Sequence, residues 1–197
     1  MNYWILKTPI QDDGAHLSTL PTAGPEDFLY SKGESLKAQH PQDSESVMCF
    51  DTDFPDRIKL FDFVSNLDEV LIGNKRVRDV FEQLGIENVE YLPVWLMNHQ
   101  GEIASKDYTI LNVLGSVDAI DMEKSKYRMG RIIKTQINRV KHLVLDNDNI
   151  PEEAQVFRAS SKLNEIFISD PLKQALEAAG LSGWKAIEAQ GWDGMDF

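Results

Sequence analysis

Cysteine is nearly missing from this chain of 197 residues: Cys49 stands alone, so neither an internal disulfide nor a C-x-x-C zinc or redox pair can form. A reducing compartment suits such a chain, and the cytoplasm is the expected location. Long apolar runs are missing too. The opening "MNYWILKTPIQDDGAH" holds four apolar residues in a row before Lys7 and Pro9 interrupt it, too few for a secretory leader or a membrane span, and it reads as a first strand. Basic charge is scarce, with 20 Lys and Arg against 32 Asp and Glu for a net charge of -12. Phosphate binding needs a basic face, which this composition supplies only by segregating it, so no nucleic-acid partner is expected. An acidic surface suits a basic protein partner or serves solubility alone.

Two further shortages narrow the chemistry. The four histidines, His16, His40, His99 and His142, include no pair at the spacing that places two imidazoles on one helical face, and no glycine-rich phosphate loop opens a helix. Neither a metal nor a cofactor is expected. "DNDNIPEE" starts like a calcium loop with Asp146 and Asp148, but Pro151 occupies the position where the sharp turn needs glycine, and Phe157 stands where the bidentate glutamate belongs. It reads as a solvated acidic loop.

What is present supports a globular protein. Hydrophobic residues make up 42% of the chain, and at this length a single domain buries roughly 70% of its unfolded surface. From 14 to 47 the text is rich in Gly, Pro, Ser and charge and has no period, which predicts a long irregular segment anchored by Phe28, Leu29 and Tyr30. Val77, Val80, Phe81 and Leu84 then recur at helical spacing, with Gly85 placed to end the helix. "NVEYLPVWLMN" and "DYTILNVLG" predict a hairpin closed by "HQG", with Pro93 marking an edge or a bulge. "DAIDMEKSKYRMG" reads as a polar connector. In "RIIKTQINRVKHLVL" helix and strand compete, and β-branched residues favour strand. "AQVFRAS" adds a short strand. The order is mostly strands joined by short turns with two or three helices, an α+β fold with a largely antiparallel sheet.

"EIFISDPLKQALEAAGLSGW" holds a serine and an aspartate at the entry to a helix near 171–179. Pro171 suits the first helical turn, which makes Ser169 or Asp170 the N-cap. Leu172, Ala175, Leu176 and Ala179 form one apolar face, and Gly180 terminates it. A nucleophilic serine needs an activating base and an oxyanion hole, and this stretch lacks the G-x-S-x-G elbow. Asp118, Asp121 and Glu123 form a possible carboxylate cluster for acid/base work, without a nucleophile or metal to pair with. The terminal "GWDGMDF" either folds Trp192 and Phe197 back over the core or presents them to a partner as an arm.

Two stretches carry a resemblance. "YTILNVLGSVDAIDMEKS" and "FRASSKLNEIFISDPLKQALEAAGLSGW" resemble the bacterial immunity-protein family eleven, found beside polymorphic toxin genes. The matching pattern is an L-N-V strand, a D-x-x-D-x-x-x-S connector, an I-x-S-D-x-L helix entry and a closing G-x-x-G. Here those positions are Asn112, Asp118, Asp121, Ser125, Ser169, Asp170, Leu172, Gly180 and Gly183. The proline after Asp170 departs from the polar residue of the pattern but preserves the cap. The resemblance implies one α+β domain, residues 1–197, that binds and neutralises a cognate toxin without catalysis of its own. Asp146, Asp148, Glu152 and Glu153, with Trp192, are the expected toxin contacts, and the motif residues are expected to hold the fold. An enzyme built on Asp118 and Asp121, or an adaptor of a toxin secretion machine, are the alternatives.

Overall fold

The computed structural model describes residues 1–195. Its elements are β1 (Tyr3–Lys7), β2 (His16–Leu17), β3 (Val47–Cys49), β4 (Ser65–Asn66), β5 (Ile72–Asn74), α1 (Lys75–Gln83), β6 (Val89–Met97), β7 (Ile103–Val113), β8 (Lys126–Met129), β9 (Ile137–His142), β10 (Val156–Ala159), β11 (Lys162–Ser169), α2 (Asp170–Ala178) and β12 (Lys185–Glu188), with 3-10 turns at Asp27–Ser31, Asp43–Glu45 and Asn147–Asn149. The α+β class holds. One four-stranded sheet runs β10-β11-β1-β12 and is antiparallel throughout; a second runs β3-β6-β7-β5. Two short pairings, β2 with β4 and β3 with β6, are parallel.

Period-two alternation sends successive side chains to opposite faces of each sheet, and three apolar clusters result. Leu6, Ile166 and Ile168 face α1 and α2 in one cluster; Tyr3, Ile5 and Phe167 face the β8–β9 hairpin in another. Of the three, the second lies around Leu92, Val94 and Ile110 and is roofed by the irregular N-terminal segment, and the one beneath the β8–β9 hairpin is the third. That segment is pinned by Tyr30 and Leu36 with Leu29 packed beside them, so of the three predicted anchors only Phe28, which is exposed, does not hold it. The Tyr30 hydroxyl meets His40 Nδ1 at 3.1 Å, and His40 Nε2 lies 2.8 Å from the Pro93 carbonyl.

Pro93 explains why β6 can be an interior strand. β3 pairs only with Trp95 to Met97, so the missing N–H of Pro93 faces a gap in the ladder where His40 and Ser46 bind its carbonyl instead. The register also shifts between Val94 and Leu96. Elsewhere the predicted connector ends in β8, and the debated 131–145 run divides into a turn and β9. β12 was not legible, because "KAIE" is half-buried on a sheet edge and alternates too weakly.

Candidate functional site

Most of the nine motif residues hold the fold at separate places, and Asn112, Asp121, Ser125, Ser169 and Asp170 each do so through their own hydrogen-bond partners. Asn112 is fully buried; its Nδ2 donates to the Glu34 carbonyl at 2.8 Å and to Glu90 Oε2 at 3.2 Å. Glu90 also accepts from Ser35 Oγ and Leu36 N, at 2.6 and 2.8 Å. Burial alone would raise the Glu90 carboxyl, but these hydrogen bonds outweigh it and hold the group below its ordinary range. The pair thus ties the irregular segment to the second sheet. Asp121 Oδ1 accepts from the backbone N–H groups of Glu123 and Lys124, and Ser125 Oγ exchanges hydrogen bonds with Val144 N and O. Asp118 is exposed.

Ser169 is the N-cap of α2: its Oγ accepts from Leu172 N at 3.3 Å and donates to Gln155 Oε1. Asp170, in the first turn, accepts from Trp4 Nε1 at 2.5 Å, and Leu172 is fully buried. Gly180 ends the helix at φ 62°. Gly183, at φ 84°, approaches so closely that a Cβ would lie 2.1 Å from the Phe63 carbonyl oxygen. Beside it the Asp62 carboxylate collects Ser182 N and Oγ, Asn74 Nδ2 and Arg76 Nη1 at 2.8 to 3.0 Å. The closing G-x-x-G therefore fastens the end of α2 to the start of α1.

Asp118 is exposed, while Asp121 caps a turn through the backbone N–H groups of Glu123 and Lys124, so the two carboxylates of the alternative enzyme reading sit in different settings. His16 Nδ1 lies 2.9 Å from Ser65 Oγ beside a cleft of about 380 Å³. These two residues are register partners of β2 and β4, both buried, so the contact is a cross-strand polar pair. Burial lowers the His16 pKa, partly offset by Asp51. Among the described residues no group of three or more His, Cys, Asp or Glu is placed to hold a metal ion, and no helix is long and apolar enough to cross a membrane.

The acidic loop lies open to solvent. Asp148, Glu152 and Glu153 are exposed, while Asp146 is half-buried and accepts from Asn149 Nδ2 at 3.0 Å. Trp192 is 6% exposed within the third cluster, with Nε1 donating to the Met195 carbonyl at 2.7 Å. Phe197 lies outside the described residues.

A different surface was overlooked in the sequence. Seven of the 20 Lys and Arg residues fall between Lys124 and Lys141, and from Lys124 to Leu145 there is no Asp or Glu. β8 and β9 pair here into a ribbon whose inner face, Ile137 and Val140 with Tyr127 and Met129, sits on the third cluster. Its outer positions, Lys126, Arg128, Arg139 and Lys141, are exposed, as are Arg131 and Lys134 near the turn. Among the described residues none of these six forms an ion pair. Arg128 is the register partner of Arg139. At the tip Ile132 is 96% exposed, and below it opens a cleft of about 490 Å³ lined by Lys32, Arg128, Arg131 and Lys162. The acid-free run was the available signal. It also removes the reason for discounting anionic partners, since net charge conceals a segregated basic face.

A family model described as Immunity protein family (Imm11) matches residues 26–191, which is most of the chain, and the protein belongs to that family. Comparison with curated proteins finds no match.

Proposed function

We propose that this protein is a single-domain immunity protein that binds a cognate bacterial toxin in the cytoplasm and neutralises it by occlusion, with no turnover of its own. The family match over residues 26–191 carries this reading. Support comes from the motif residues: Asn112, Asp121, Ser125, Ser169 and Gly183 all hold backbone or neighbouring side chains in place, which is what a scaffold for a contact surface requires. The acidic loop with Asp146, Asp148, Glu152 and Glu153 contributes steering toward basic groups on the toxin.

Co-expression tests the proposal. The toxin encoded beside this gene should arrest growth alone, and this chain should restore it and co-purify with the toxin as a stable complex. A neighbouring toxin that still kills in its presence, with no complex formed, would overturn the reading.

A further inference from the structure

Resting on the immunity reading, we propose that the β8–β9 ribbon is the surface that holds the toxin. Ile132 at its tip is the anchor, Arg128, Arg131, Lys134 and Arg139 flank it, and the toxin face that receives them is acidic around an apolar socket. Four observations carry this. First, Ile132 is 96% exposed, more than any other large hydrophobic side chain among the described residues, and Ile133 beside it is 50% exposed, so a partner that covers the pair removes apolar surface from water at the tip. Second, Arg128 and Arg139 stand opposite each other across the ribbon, an arrangement that opposes pairing of the strands and is relieved by an anion placed between them. Third, the cations do not serve solubility, because the chain already carries -12 and each one diminishes that net charge. Fourth, the cleft under the tip has no acidic residue in its lining, so it fits a carboxylate side chain from the facing loop.

A protein fits better than the other polyanions. Of the rings on the ribbon, Tyr127 is half-buried against the third cluster and His142 is exposed, a sparse platform for stacked bases. Ile132 and Ile133 have no counterpart on a phosphate backbone, whereas an apolar anchor ringed by charge is the usual anatomy of a protein–protein contact.

The experiment uses the full chain and the neighbouring toxin in an active-site-inactivated form, with oligouridine and phosphatidylglycerol vesicles as control probes. Dissociation constants are measured for the wild type, Ile132→Asp and the double variant Arg131→Glu/Lys134→Glu. Both variants should melt like the wild type, because these side chains are exposed, and both should bind toxin about 30-fold or more weakly. Toxin binding unchanged in both variants would overturn this docking surface while leaving the immunity function intact. A wild type that binds no toxin would overturn that function and the docking surface with it. Tight binding of oligouridine or vesicles that the variants abolish, with toxin binding untouched, would make the ribbon a site for those anions and end the proposal.

Discussion

Between Lys141 and Asp146 the chain passes from its basic ribbon to its acidic loop within a few residues, yet the two surfaces differ in what stands behind their charge. In the ribbon the cations ring an isoleucine exposed to 96%; in the loop the isoleucine, Ile150, is 5% exposed and packs inside. Arg128 and Arg139 oppose each other unrelieved, whereas Asp146 is already engaged by Asn149. Charge alone changes how fast partners meet, and a desolvated apolar anchor changes how long they stay. The ribbon has both elements of a docking site and the loop has one.

The largest effect that would break or sharpen this contrast comes from one substitution made on both sides of it. Ile150→Ala should cost about 2–5 kcal/mol by opening a cavity under the loop, read as a lowered denaturation midpoint. Ile132→Ala should leave that midpoint unchanged, within about 0.5 kcal/mol. If instead Ile132→Ala destabilises the chain, the tip is part of the core and the contrast fails.

Acidification probes neither face but two buried histidines, His40 bound to Tyr30 and Pro93 and His16 paired with Ser65. Burial lowers the His40 pKa, against hydrogen bonding to Pro93 and the charge of Glu90, and burial also lowers that of His16. In the unfolded chain both titrate near 6.5, so as pH falls below that value the unfolded state takes up protons that the folded state refuses. Stability is therefore fully present above about pH 6.5 and falls as acid drives the pH toward the lowered folded-state values. Chemical denaturation at pH 7.5 and at pH 5.5 measures the loss. A His16→Gln variant should show a smaller one, and a pH-independent midpoint over that range would contradict the assignment.

Local chemistry was legible in the sequence where one residue type forces one backbone solution. Pro171 with Ser169, Gly85, Gly180 and the "HQG" turn fixed α2, the end of α1 and the β6–β7 hairpin. Long-range features were not. Nothing local reveals that Asn112 reaches across to Glu34, that Arg158 is buried with its guanidinium on the carbonyls of Tyr30, Val113 and Leu163, or that β12 completes a sheet begun by β1. Burial lowers the Arg158 pKa to about 10, a cost that only the assembled fold makes visible. The basic ribbon was overlooked for a different reason: averaging charge over the whole chain hides a run that the acid-free stretch discloses.

A smaller effect separates stability from binding within the ribbon itself. Arg128→Glu turns the repulsive Arg128/Arg139 pair into an attractive one and should raise stability by about 0.2–1 kcal/mol. The gain should shrink at high salt, since exposed charges are screened. Toxin affinity should fall at the same time. A variant both less stable and unaffected in binding would mean that the two arginines already share a counter-ion within the fold.

The smallest effect belongs to the acidic loop. Converting Asp146, Asp148, Glu152 and Glu153 to their amides removes four charges without touching the apolar packing of Ile150. If the loop only steers, association slows by less than about tenfold, that deficit fades as salt is added, and the dissociation rate stays at the wild-type value. Stopped-flow association and a chase for dissociation measure the two rates separately. A dissociation rate raised as far as by Ile132→Asp would move the anchor of the interface from the ribbon to the loop, because long-range charge reaches the encounter but not the lifetime of a closed, desolvated contact.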